Sequence, residues 1–263
     1  MAATTVEDVV FHRDKEGELL ARLYRPAGKG PFPVVIDLHG GAWTSGDRVQ
    51  NVAIASVLAD AGILVVSLDF RMPPVRRYPA TLDDIDAGIR WTKKHAADYG
   101  GRADWVGCFG TSSGGHLAML VGMRPTSPES RLAFVISGWG VLDPLLRYRL
   151  AKEAGAQNFI SAHHSFWGDE AAMTDGSPPA LLQRGEQRDL PPALVFQGDA
   201  DEWVPKAMVE KFAAAYRKAG GDMRLEFLPG AKHGFFREDA NGPNAKKAIA
   251  LTRDYVLSRT VNA

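Results

Sequence analysis

The residues best suited to chemistry in this chain lie in Gly110-Thr111-Ser112-Ser113-Gly114. The stretch fits G-x-S-x-G, with a short apolar run before it and a helical pattern after it. A sharp strand-to-helix turn forces its central residue into a strained backbone, so small residues must flank it. The hydroxyl then stands above the sheet edge, and the helix N-terminus favours negative charge developing there. The spacing selects Ser112 as a nucleophile for acyl transfer, and the amide of Ser113 as a donor to the oxyanion. On its own such a pentapeptide is also compatible with a flexible Gly/Ser turn.

A serine hydroxyl is a weak nucleophile without a base, and the base needs a group to orient it. Two later segments supply both, in the chain order Ser, Asp, His that this motif carries. Gly198-Asp199-Ala200-Asp201 follows an apolar strand at 194–197, and Lys232-His233-Gly234-Phe235 follows a strand at 224–228. His233 is expected to act as base and then acid, oriented by Asp201. Asp199 is the rival acid, with a turn cap as its plainer role. A lone loop histidine is more often mere surface, but three elements in order after successive strands argue otherwise.

The oxyanion needs further donors, and removing one typically costs about 3–4 kcal/mol of barrier. His39-Gly40-Gly41-Ala42-Trp43 follows the apolar strand 34–38. Its glycines let amides approach a carbonyl oxygen closely. Gly40, Gly41 and Ser113 are the expected donors, with Ala42 as a further candidate and His39 as a structural anchor. Trp43, Trp139 and Trp203 are the expected substrate-binding residues, although such a residue taken alone is more often core.

The elements that must hold these residues follow from periodicity. Strand-like runs at 8–11 and 19–24 flank an Asp-Lys-Glu-Gly turn. Buried strands at 34–38, 63–68, 105–109, 134–137, 193–197 and 224–228 alternate with helical stretches near 49–61, 81–99, 113–123, 206–219 and 245–257. Such alternation predicts a parallel sheet covered on both faces. Residues 143–190 carry no strand signal and are expected to form an insertion over one end of the sheet, within a single domain spanning 1–263.

Composition agrees with a globular domain: 263 residues, 45% hydrophobic and 24% charged. Lys plus Arg and Asp plus Glu both number 31, which argues against nucleic acid or an anionic membrane as partner. The basic cluster Arg147-Tyr148-Arg149 is too short to change that. No apolar run approaches the ~20 residues of a membrane helix, and the first residues lack a signal-peptide pattern. The one cysteine, Cys108, excludes an intrachain disulfide and fits a cytoplasmic location. It reads as a small buried hydrophobe. His163-His164 with Asp169 and Glu170 fits no regular metal-ligand spacing, and a surface of the insertion is expected there.

H-G-G-A-W, G-T-S-S-G-G, G-D-A-D-E-W-V-P and K-H-G-F together resemble the α/β-hydrolase family, and within it the hormone-sensitive-lipase-like carboxylesterases. The resemblance covers roughly residues 15–258. It implies the α/β-hydrolase fold, an eight-stranded, mostly parallel sheet flanked by helices, with a small cap inserted between later strands. It also implies a small-molecule ester substrate cleaved without metal or cofactor. It carries catalytic roles onto Ser112, Asp201 and His233, and oxyanion roles onto Gly40, Gly41 and Ser113. Relatives often dimerise through the last strand and helix, so a homodimer stays open.

This chain departs from the family in several places. Ala42 stands where many members have a third glycine. Asp69-Phe70-Arg71 replaces an Asp-Tyr-Arg segment, and the long N-terminal helical cap is missing, which leaves 143–190 to form the cap. H-G-G-x-W also resembles the arylformamidase branch, which hydrolyses N-formylkynurenine. A third reading is a non-catalytic ligand-binding module, as in plant hormone receptors of similar fold. Those tend to lose the histidine that this chain keeps at His233.

Overall fold

The computed structural model describes residues 3–260. The chain opens on an antiparallel hairpin, β1 (Thr5–Asp14) and β2 (Gly17–Arg25). Asp14 starts its turn by accepting the Glu16 amide at 2.8 Å, and Gly17 completes it at a φ of 120°. Both strands run longer than the hydrophobic pattern alone indicates. Across the hairpin Arg22 forks onto Asp8, which also takes Arg48, and the two guanidiniums hold the Asp8 carboxyl well below the usual carboxylate range.

Six further strands follow: β3 (Phe32–Leu38), β4 (Leu64–Leu68), β5 (Gly101–Thr111), β6 (Val135–Gly138), β7 (Ala193–Gly198) and β8 (Met223–Leu228). They join the hairpin in one eight-stranded sheet of order β1-β2-β4-β3-β5-β6-β7-β8. β2 is antiparallel to both neighbours, and every pair from β4 to β8 is parallel. This matches the eight-stranded, mostly parallel sheet expected of an α/β-hydrolase. Every residue of β3 is buried, as a strand covered on both faces requires.

Helices α1 (Val52–Asp60), α2 (Thr81–His95) and α3 (Ser113–Met123) connect the first four parallel strands. The helical signal at 81–99 splits, because Ala96–Tyr99 tightens into a 3-10 turn that Gly100 ends in the left-handed region. Between β6 and β7 the chain forms α4 (Pro144–Glu153), α5 (Gln157–Trp167), α6 (Glu170–Asp175) and α7 (Pro178–Arg184), with no strand, as expected for 143–190. α8 (Lys206–Lys218), a short α9 (Phe235–Glu238) and α10 (Pro243–Thr260) complete the order. Residues of α2, α3 and α8 join the core on one face of the sheet, and those of α1 and α10 join the core on the other. No helix among the described residues is long and apolar enough to cross a membrane.

One carboxylate lies inside this sandwich. Asp37 of β3 is buried and accepts hydrogen bonds from Asn51 Nδ2 at 2.7 Å and Ser67 Oγ at 2.8 Å, and it makes no ion pair among the described residues. Asn51 in turn accepts from Thr111 Oγ1 at 3.3 Å, so the network reaches the residue before Ser112. Desolvation pushes the Asp37 carboxyl up to about 6. A raised acid favours the folded state fully below about pH 4, and that contribution is lost as pH rises towards 6. Asp37→Asn mimics the protonated form. The melting temperature of Asp37→Asn relative to wild type is therefore expected to rise between pH 4 and pH 7, by the equivalent of about 3 kcal/mol at most. A difference that stays constant with pH would contradict a strained Asp37 charge.

Candidate active site

The C-terminal edge of the parallel strands gathers the loops singled out by sequence, as open α/β sheets do. β5 delivers Ser112, β3 delivers His39 to Trp43, β7 delivers Asp201 and β8 delivers His233. Ser112 sits at φ 52° and ψ −118°, between strand β5 and helix α3. Its amide donates to Gly138 O at 2.9 Å, and its carbonyl accepts from His116 N and Val141 N. The flanking glycines are there for space. A Cβ on Gly110 would lie 2.3 Å from Gly114 O, and one on Gly114 would lie 2.2 Å from Leu38 O.

Ser112 Oγ stands 2.8 Å from His233 Nε2, and His233 Nδ1 stands 2.8 Å from Asp201 Oδ2. Because a carboxylate can only accept, the ring proton is assigned to Nδ1, which leaves Nε2 to accept from the hydroxyl. Asp201 is nearly enclosed and held from several sides. Its Oδ1 accepts from the amides of Trp203 and Val204, both at 2.9 Å, and its Oδ2 also accepts from Gln197 Nε2 at 2.5 Å. Asp199 points elsewhere: it is exposed and accepts the Gly230 amide at 2.6 Å, closing the turn between loops. The structure thus brings together Ser112, His233 and Asp201, and leaves Asp199 as a turn cap.

The loop after β3 curls tightly. Gly41, Ala42 and Trp43 all take positive φ, at 113°, 52° and 62°, while Thr44 N and Ser45 N both donate to Gly41 O. Gly40 lies against the serine, since a Cβ there would be 3.3 Å from Ser112 Cβ. Among the described residues, the amides of Gly40, Gly41 and Ser113 have no acceptor. His39 anchors the loop: it is buried, stacks on Phe70 at 4.3 Å and bonds Gly40 O through Nδ1 at 2.8 Å. Burial lowers its pKa.

The tryptophans are placed differently from one another. Trp43, expected to line the pocket, is fully enclosed instead, packed against His116, His163, Phe166 and Trp167. Its Nε1 donates to His116 Nδ1 at 3.2 Å, and His116 Nε2 donates to Gly176 O at 2.8 Å. The positive φ of Trp43 turns the indole under the inserted helices, so it joins them to α3. Burial pushes His116 down to about 4, which keeps it neutral. Trp139, at φ 40°, is nearly buried against Phe196, Phe235 and Phe236. Trp203 is half-buried, edge-on to Phe159.

His163 corrects another expectation. It is buried against Trp43, not on the surface of the insertion, and donates through Nδ1 to Phe159 O at 2.7 Å. His164 bonds Tyr148 OH. Among the described residues no cluster of three or more His, Cys, Asp or Glu side chains could hold a metal. Cys108 is buried in β5, and burial pushes its thiol up. Sequence reasoning missed His116, whose signal was its place four residues after Ser112 on one helix face.

Residues 22–216 match the family BD-FAE. Carboxylic ester hydrolase LipN of Mycobacterium tuberculosis is 39% identical over 237 residues, covering 83% of this chain and 61% of LipN. Esterase LipQ of the same organism is 29% identical over 214 residues, covering 77% of this chain and 50% of LipQ. The chain therefore spans about half to three-fifths of the length of these relatives. Propionate-bound esterase 2 of Thermogutta terrifontis superposes with a TM-score of 0.78 at 26% identity, covering 96% of this chain and 94% of that one. The sheet is that of the α/β-hydrolase fold.

The curled loop makes opposite demands on adjacent positions. A Cβ on Gly41 would lie 2.0 Å from Ser45 O, so Gly41→Ala is expected to cost about 2 kcal/mol or more. Ala42 already carries a side chain in the left-handed region, which costs roughly 1–2 kcal/mol. Ala42→Gly should therefore stabilise by up to about 1 kcal/mol, after the greater entropy of an unfolded glycine is subtracted. Urea unfolding of the two variants measures both. A loss of stability in Ala42→Gly would contradict strain at that position.

Proposed function

The chain belongs to the BD-FAE family, and from that premise we propose that it is a serine hydrolase cleaving small to medium carboxylic esters through an acyl-enzyme. One observation carries the reading: two 2.8 Å hydrogen bonds link Ser112 Oγ through His233 to a buried Asp201. The esterase relatives and the propionate in the Thermogutta structure add support. The intact serine–histidine bond favours an enzyme over a binding module, whose pocket would have no use for an activated hydroxyl.

In this reading Ser112 Oγ attacks the ester carbonyl while His233 Nε2 takes its proton. The carbonyl oxygen becomes an oxyanion held by the amides of Gly40, Gly41 and Ser113, the donors that lack protein acceptors. His233 then protonates the leaving alcohol, and the acyl group stays on Ser112. Water repeats the sequence, with His233 as base, and releases the carboxylic acid. Asp201 keeps the imidazole in the Nδ1–H tautomer and stabilises the imidazolium formed at each step. Helices α4–α7 form the cap and, with the sheet, make one domain. Trp139 and Trp203, beside the loops of Ser112 and Asp201, contribute to its walls. A cytoplasmic location is supported by a single unpaired cysteine.

The test is hydrolysis of p-nitrophenyl esters from acetate to decanoate. Wild type should turn over the shorter esters best, and Ser112→Ala should lose at least about a thousandfold. Asp201→Asn should fold normally and lose about ten-thousandfold in kcat, through the wrong tautomer. Activity surviving in Ser112→Ala would overturn the reading, and a larger loss in Asp199→Asn than in Asp201→Asn would reassign the acid.

A further inference from the structure

The inserted helices bury a cation that makes no ion pair among the described residues. Arg147 lies one turn into α4, after Asp143 caps that helix by accepting the Leu146 amide. It is 1% exposed and, with Trp43, among the largest fully enclosed side chains. Its Nε and Nη1 are buried with no hydrogen-bond partner, and it makes no ion pair among the described residues. Burial lowers its pKa, but only to about 10, so it stays charged at neutral pH. The guanidinium lies over the ring of Phe159 at 4.2 Å and of Trp43 at 5.8 Å. Those faces accommodate the charge and leave the N–H donors unmet.

The chain treats its other enclosed guanidinium quite differently. Arg71, with a side chain 9% exposed, is surrounded by Asp14, Glu16 and Asp84. An unpaired buried cation is expensive, so its retention calls for a partner that arrives from outside. The position of Arg147 indicates which one. Trp43 closes the loop that carries Gly40 and Gly41. Phe159 packs at 4.6 Å on Trp203, whose amide holds Asp201. Arg147 therefore sits between the proposed oxyanion loop and the acid loop. Beside it, His163 donates through Nδ1 to Phe159 O, leaving a buried, unpartnered Nε2 lone pair.

We infer that Arg147 is a specificity-determining residue that binds a carboxylate on the substrate, so that the preferred esters carry a free acid group in the acyl part. A guanidinium matches a carboxylate with two parallel N–H donors, and a guanidinium packed on the Phe159 and Trp43 rings, away from water, strengthens that pair. The inference rests on the esterase reading above, and the experiment separates the two.

The ratio of kcat/KM for p-nitrophenyl hemiglutarate to that for p-nitrophenyl valerate is measured in wild type and in Arg147→Met. Wild type should favour the anionic acyl group, and the ratio should fall roughly tenfold to a hundredfold in the variant. Arg147→Met should also melt higher than wild type, since a buried charge gives way to an apolar side chain. Glutarate binding to Ser112→Ala is followed by calorimetry, with valerate as control, and repeated in Ser112→Ala with Arg147→Met. Glutarate should bind the first and not the second. Hydrolysis of neutral esters with an unchanged ratio and no glutarate binding would overturn the carboxylate site and leave the esterase standing. Glutarate binding through Arg147 with no ester hydrolysed would do the reverse. Should Arg147→Met fail to fold, wild-type preference for valerate together with no glutarate binding to Ser112→Ala overturns the inference, and the opposite pair supports it.

Discussion

The positive φ of Ser112 costs free energy that a free chain would release, so the surroundings must forbid relaxation. They do so by close approach. Gly110 and Gly114 bring β5 and α3 within van der Waals contact of each other and of β3, leaving no room for a Cβ at either position. The amide and carbonyl of Ser112 are tied to the start and end of the β6 turn, at Gly138 and Val141. With the backbone held at both groups, the side chain has one direction left, out over the sheet edge towards His233. Everything else at the site is arranged around an oxygen whose position that turn has already set.

A second constraint links this edge to the inserted helices. Trp43 leaves the curled loop, goes beneath α5 and bonds His116 of α3, which in turn bonds Gly176 between α6 and α7. The loop facing the serine, the helix beneath it and the insertion above it therefore share one buried aromatic joint. Phe166 and Trp167 complete it from α5. Because His116 accepts from Trp43 and donates to Gly176, it must be neutral, and burial keeps it so. The insertion is thus fastened at the base of the site, and its Phe159 packs on Trp203 in the loop of Asp201.

Much of this was legible from sequence because the motifs are local. Ser112, Gly40 and Gly41 follow strands whose apolar runs are unambiguous, and α3 begins and ends where its periodicity says. Sequence set Asp201 as the expected acid with Asp199 as its rival, and only the folded loops separate them, because Asp199 is taken by the Gly230 amide. What sequence could not give depended on packing between distant segments. Trp43 reads the same as core or as pocket wall, and only the positive φ of its loop decides it. His163 looks like a surface histidine until α5 is folded against Trp43. Arg147 lies in a short basic cluster of no evident meaning, because burial of one arginine out of two on the same helix has no local signature. Ala42 shows the converse case: the missing third glycine is visible in sequence, but its cost is visible only once that position is found in the left-handed region.

The central claim is that Ser112 is the residue that forms a covalent bond to the substrate. Paraoxon labelling tests it without reference to any natural substrate, because an organophosphate traps the activated hydroxyl. Peptide mapping by mass spectrometry after brief treatment should find one diethylphosphoryl group, on Ser112, and none on protein carrying Ser112→Ala. A label on Ser113 or on any other residue, or a folded wild-type protein that takes up no label, would contradict the account.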